Sequence, residues 1–266
     1  MQTDWPTTTF SDENHALDVL MELYGKRWLC RGQRSRYSGL NPSIERAHGA
    51  LSRQQKLNLE RQSIDTFRST ARSFNPGEEL ALIDDLIALM VMRHYGVPTR
   101  LLDWSLSPYV AAYFASEDCD EDGKIWTFSH DQYVLKGNEQ WASMRETTVE
   151  GPDGRRHWQA NLTAFLVEEP PDWFVCQFYD AFQGFPRQRA QRGLFTMMAR
   201  FGRGHDQAIA KLLSDPNQFH LYLIPSNINR NLLRALREKH GIWRGSLFPD
   251  TAGAAETVKL HIFERS

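Results

Sequence analysis

Three short segments concentrate side chains able to do chemistry, and each lies beside an apolar run that reads as a strand. In the first, Arg31-Gly32-Gln33 follows Arg27-Trp28-Leu29-Cys30. A guanidinium where a strand opens into a loop either presents a fork of donors to a phosphate or ribose, or closes a surface salt bridge. Gly32 would permit close approach of a ligand to the backbone. The second segment, His94 to Ser105, gathers a histidine, an arginine, an aspartate and a serine around Leu101-Leu102-Asp103-Trp104, just ahead of a helix start suited to an anion. The third, Arg187-Gln188-Arg189-Ala190-Gln191-Arg192, sets three arginines and two amides at the entrance of Gly193-Leu194-Phe195.

Each segment also has a structural reading. Asp103 can pair with Arg100, since buried carboxylates need partners. His94 can face a helix dipole, Trp104 can be core, and Arg187 to Arg192 can be a solvated rim. Ser105 has no histidine or acid at a spacing that would activate it. The nine histidines form no HExxH or HxH pattern, so no metal centre is expected. Neither GxxxxGK[ST] nor GxGxxG occurs, which argues against Walker and Rossmann nucleotide sites.

The elements that must position these segments are mixed. Helical stripes run over Asp12–Leu23, Leu51–Ser73 and Glu78–His94, and further helices are predicted from Ser107-Pro108, over Ala208–Leu213 and over Asn229–His240. A turn at Asn41-Pro42 can start another, with Ser43 as its cap. Strands are predicted at Lys124–Phe128, Asn161–Val167, Gly193–Met197, Phe219–Ile224 and Thr257–Phe263, with Lys136–Trp158 irregular. No regular βαβ alternation appears, so the fold class is α+β.

The chain has 266 residues, 41% of them hydrophobic, enough for one large domain or two small ones. A net charge of −2 gives no global field for nucleic acid or membrane. Cys30, Cys119 and Cys176 are scattered, which predicts a reducing compartment and neither disulfides nor zinc. The first residues show no signal-peptide pattern, and the longest apolar run, Leu86 to Met92, is too short to span a bilayer. A cytoplasmic protein without membrane partners is expected.

Trp28-Leu29-Cys30-Arg31-Gly32-Gln33 with Leu40-Asn41-Pro42-Ser43-Ile44-Glu45-Arg46 resembles the opening of the FRG domain family, named for a Phe-Arg-Gly signature; cysteine here replaces the phenylalanine. His94 to Phe114, HYGVPTRLLDWSLSPYVAAYF, resembles that family's central motif. Arg189 to Phe195 resembles its third motif and Leu247-Phe248-Pro249-Asp250 its closing one. The resemblance runs over about residues 25 to 262, so residues 1–24 are expected as an N-terminal helical segment and 25–266 as the FRG domain.

The motif order is in turn similar to that of ADP-ribosyltransferases, which implies a single domain with a split mixed β-sheet and helical insertions. It implies NAD as co-substrate without a metal, Arg31, Gln191 and Ser105 as catalytic residues, and Arg31, Gly32, Gln33, His94, Thr99, Arg100, Asp103, Trp104 and Phe114 around the dinucleotide. A glutamate is usual where Gln191 stands. A neutral amide can hold a ribose hydroxyl but cannot stabilise an oxocarbenium equally well. Either another carboxylate contributes (Asp103, Glu168 or Glu169), or the acceptor is itself a good nucleophile, or the site only binds.

Arginines crowd two acid-free stretches: four between Lys26 and Arg36, and five between Arg187 and Arg203. If both border one cleft they form a basic groove, with Arg187, Arg189 and Arg192 on an RNA or DNA acceptor and Trp104, Phe195 or Phe201 as stacking candidates; otherwise they serve only the NAD pyrophosphate. The resemblance implies a toxin or anti-phage effector restrained by an inhibitory antitoxin-type protein. A non-catalytic nucleotide or nucleic-acid binding module and an NAD glycohydrolase are the alternatives.

Overall fold

In the computed structural model, which describes residues 5–71, 79–82, 84–117, 120–143, 175–178, 186–198, 201–202 and 204–263, most of these apolar runs become sheet or buried helix. The strands are β1 (Thr7–Thr9), β2 (Trp28–Arg34), β3 (Leu101–Ser105), β4 (Gly123–Ser129), β5 (Val175–Phe178), β6 (Gly193–Met198) and β7 (Phe219–Ile224). The helices are α1 (Glu13–Gly25), α2 (Ser43–His48), α3 (Arg53–Thr70), α4 (Asp85–His94), α5 (Pro108–Ser116), α6 (His130–Ser143), α7 (Pro186–Ala190), α8 (His205–Leu213), α9 (Ser226–His240), α10 (Arg244–Leu247) and α11 (Thr251–Phe263).

The strands make one sheet in the order β1-β7-β4-β2-β3-β6-β5. β1 runs parallel to β7 and every other pair is antiparallel. β2 pairs with β4 from Trp28 to Arg34, and β3 with β6 from Leu101 to Ser105, but β2 and β3 meet at one position, Cys30 opposite Ser105. The sheet is therefore split at its middle into two halves. This is the mixed, split sheet expected of a single α+β domain.

Alternation along the strands sorts the core. Cys30 and Ile125 face α1, α5 and α9, which bring Leu20, Val110 and Leu232 onto the sheet. Leu101 and Met197 meet α3 and α4 through Ile64, Leu89 and Val91. Leu29, Leu102, Trp104 and Trp126 turn the other way, toward Tyr133 of α6 and Ile209 of α8. Local signals fix the helix starts. Asp12 accepts the N–H groups of Asn14 and His15 ahead of α1, Ser52 and Gln55 form a capping box for α3, and Ser107 caps α5 with Pro108 in its first turn.

Several expectations are corrected. Glu78–His94 is not one helix: a 3₁₀ turn spans Glu79–Leu82, and Asp84 starts α4 afresh by accepting from Ile87 N. Thr257–Phe263 is helical, because α11 begins at Thr251 and its first turn is tied to Asp250. Lys136 to Ser143 belongs to α6 and is not irregular. Pro42, not Ser43, precedes α2; the Ser43 hydroxyl accepts from Thr99 N and Arg93 instead. The strand expected at 161–167 lies outside the described residues. No helix among the described residues is long and apolar enough to cross a membrane.

Gly32 is demanded by packing. A Cβ there would lie 1.9 Å from the carbonyl oxygen of Ala111 and 2.7 Å from the nitrogen of Ala115, both backbone atoms of α5. The close approach that this glycine permits is therefore that of α5, not of a ligand. Gly32→Ala is expected to cost about 3 kcal/mol of stability through overpacking that rigid backbone cannot relieve. Denaturant unfolding of the variant beside wild type measures it.

Candidate functional site

A cavity of about 790 Å³ opens above the split in the sheet. Its size is within the range of about 300–1,000 Å³ common for small-molecule sites. Arg31, Arg34 and Arg36 from β2 and the loop after it line it, together with Arg46 of α2, Arg93 of α4 and Arg187 of α7. Among the described residues, two carboxylates, Asp103 and Asp250, stand against these six guanidinium groups. A chain of net charge −2 thus carries a strongly cationic hollow. The two arginine-rich stretches meet here, one contributing Arg31, Arg34 and Arg36 and the other Arg187.

Arg31 and Asp103 are joined across the split. By alternation Arg31 shares a face with Leu29, and Asp103 shares one with Leu101. They meet because no ladder closes the gap between their strands. Arg31 Nη1 donates to the backbone oxygen of Asp103 at 2.6 Å and approaches its carboxylate at 3.4 Å. Arg93 grips the same carboxylate from α4, with Nε to Oδ2 at 2.9 Å and Nη2 to Oδ2 at 2.5 Å, and its Nη1 reaches the Ser43 hydroxyl at 3.2 Å. Burial lowers the Arg31 guanidinium to about 10 even beside Asp103, so it stays charged at neutral pH. Burial would raise Asp103, but Arg93 and Arg31 outweigh it and hold the carboxyl at about 2.

Arg31, Gly32, Gln33, His94, Asp103, Trp104, Ser105, Phe114, Arg187 and Gln191 all line the cavity, as the sequence suggested. Their contacts revise several roles. Ser105 Oγ donates to the Gln191 carbonyl at 2.7 Å and accepts from Ser107 N at 2.9 Å, so it ties β3 to the third motif and meets no base among the described residues. Trp104 is 2% exposed; its indole donates to Thr196 and its ring packs edge-on against Phe128, so it is core, not a stacking platform. Gln33 Nε2 lies 3.4 Å from both the Tyr37 and Gly39 carbonyls, securing the loop that carries Arg36.

Four candidates lie elsewhere. Arg100 is 1% exposed and pairs with Glu60 of α3 beneath the Phe201 ring, so it neither binds the cavity nor partners Asp103. Thr99 is wholly buried against Ser43. Arg192 extends over the Tyr24 ring and donates to its hydroxyl. Arg189 is exposed and does not line the cavity. Of the proposed acceptor arginines, only Arg187 remains.

Gln191 Nε2 donates to the Leu247 carbonyl at 3.1 Å, and Arg187 covers the Phe248 ring at 4.3 Å while donating to the His94 carbonyl. The closing motif is thereby strapped to the cavity rim. Sequence reasoning gave no site role to Arg46, Arg93, Tyr37 or Asp250, although Arg46 and Asp250 stand in the opening and closing motifs. The guanidinium groups of Arg36 and Arg46 both lie near the Tyr37 ring, at 5.3 and 4.8 Å. Arg93 had one available signal, a lone cation closing the apolar stretch Leu86–Met92. No cluster of possible metal ligands occurs among the described residues.

Fold and site together define an α+β domain with a basic, nucleotide-sized cavity at the break in its sheet. The FRG domain profile matches residues 26–124, and that part of the chain is an FRG domain. The match takes in β2, the central motif and α5, and so most of the cavity floor; the third and closing segments lie beyond it. No curated protein and no solved structure gives a significant match.

Asp103 gives this cluster an acid limit. Its folded-state value lies below the ordinary 3.8, so its contribution to stability is complete above about pH 4 and is lost as pH falls through about 2. Asp103→Asn is expected to be less stable than wild type at neutral pH, with the difference closing over that acid window. Urea unfolding of both proteins at stepped pH measures it.

Proposed function

We propose that this chain is an NAD-dependent ADP-ribosyltransferase whose reaction takes place in the arginine-lined cavity. The observation that carries the reading is that Arg31 and Gln191, 160 positions apart in sequence, line one cavity in which, among the described residues, cations outnumber carboxylates. A dinucleotide brings a pyrophosphate, which guanidinium forks bind with charge-assisted bonds. Arg187, Arg34 and Arg46 line the wall on which it would lie, beside Arg31 and Arg93, which are engaged with Asp103. Gln191 keeps its Oε1 for a ribose hydroxyl while its Nε2 holds Leu247. Phe114 supplies an apolar surface beside these polar groups.

The cationic lining also supports a macromolecular acceptor with phosphates, and RNA or DNA is the class it suits. An enzyme that modifies nucleic acid from the cell's own NAD pool acts in the cytoplasm and harms its host, so a toxin or anti-phage role with an inhibitory protein partner accompanies the reading. A second reading, ligand binding without turnover, is favoured by Gln191, which is neutral and half engaged by the backbone.

The test is direct. Wild type freed of any inhibitor is expected to bind NAD, to release nicotinamide and to transfer label from NAD to nucleic acid or protein in a cell lysate. Arg187→Ala is expected to weaken NAD binding about tenfold or more, the loss of one charge-assisted contact. Arg31→Ala is expected to abolish transfer, with its melting temperature read in parallel because Arg31 also bridges β2 and β3. NAD binding without nicotinamide release selects the second reading, and free ADP-ribose as sole product selects a glycohydrolase. No NAD binding and no labelling would remove the proposal.

A further inference from the structure

The closing motif brings a carboxylate to the cavity that the site's other features leave without a task. Of the two acids on the wall, Asp103 is engaged by two guanidinium groups. Asp250 is not. Its Oδ1 accepts from Gly253 N at 2.8 Å, and its Oδ2 has no hydrogen-bond or ion-pair partner among the described residues.

Asp250 is also held firmly. Its backbone oxygen accepts from Ala254 N at 2.9 Å, so the first turn of α11 fixes it from one side. At Gly253 a Cβ would lie 1.9 Å from the Phe248 oxygen, so only glycine lets this turn fold so closely onto the motif. From the other side Gln191 grips Leu247 and Arg187 covers Phe248. The residue at the third motif thus reaches the carboxylate through three residues of backbone.

We infer that Asp250 is the catalytic carboxylate of this cavity and that Gln191 positions the segment bearing it; this rests on the ADP-ribosyltransferase reading above. In the reaction the bond between the ribose C1′ and the nicotinamide nitrogen breaks, and its electron pair leaves with nicotinamide. Asp250 sets negative charge beside the developing oxocarbenium. A lone pair of the acceptor's oxygen or nitrogen then bonds to C1′, and the acceptor's proton passes to Asp250 and on to water. Gln191 alone cannot supply charge or take a proton.

Asparagine at 250 keeps an oxygen for Gly253 N, so Asp250→Asn is expected to fold with the melting temperature of wild type. It should bind NAD within about twofold of wild type and release nicotinamide about a hundredfold more slowly or worse, the scale of a lost acid–base and electrostatic group. Added formate should restore turnover to Asp250→Ala, which a purely structural role would not allow. Nicotinamide release by Asp250→Asn within about threefold of wild type would overturn the assignment while leaving the transferase reading intact. A wild type that binds NAD but releases no nicotinamide would overturn that reading and this role with it.

Discussion

One guanidinium stands where a backbone ladder would otherwise run. β2 and β3 pair only at Cys30 and Ser105, and beyond that point Arg31 Nη1 takes the Asp103 carbonyl that a continuing ladder would have engaged. The substitution has two consequences. It joins the halves of the sheet without closing the gap between them, and it leaves a hollow between α4 and α5 over the break. A buried guanidinium needs an anion; Asp103 supplies it, and Arg93 balances Asp103 from α4. The cluster thereby links both halves of the sheet to a helix that is buried along its length from Leu86 to Met92.

The residues around that cluster divide into those spent on holding the fold and those left facing the hollow. Ser105, Gln33 and Trp104 are spent: their polar atoms meet backbone carbonyls, Ser107 N or Thr196. Arg100 is spent more completely, as a buried pair with Glu60, where removing either partner would strand a charge. Among the described residues, cations from β2, α2, α4 and α7 face the hollow together with the Gln191 amide and the Asp250 carboxylate. None of these elements carries a recognisable phosphate loop. The charge is assembled from distant parts of the chain, which is why net charge gave no hint of it.

Much of the fold was legible because its signals are local. The stripe Ala16, Leu17, Leu20, Leu23 behind Asp12 fixes α1, Ser107-Pro108 fixes α5, and the apolar runs of β2, β3, β4, β6 and β7 are short and sharply bounded. The misreadings came where two local signals compete. Val258, Leu260 and Ile262 alternate as a strand would, but a helix start at Thr251 overrides them. Asp84 interrupts what apolar spacing alone reads as one helix. Ser43 has the chemistry of a cap yet lends its hydroxyl to Thr99 and Arg93, contacts set by a residue fifty positions away.

The sequence by itself determined that the chain is α+β, that its first two motifs are those of an FRG domain, and that Arg31, Asp103 and Gln191 lie in or beside strands, although β2 does not open into a loop at Arg31 but runs on to Arg34. Residue type and short-range spacing suffice for that. Tertiary structure alone decided which cations share a cavity, that Asp103 answers to Arg93 and Arg31 and not to its neighbour Arg100, and that Asp250 joins the site from the far end of the chain. These outcomes depend on which side of a broken sheet each residue faces, and strand pairing between distant segments sets that.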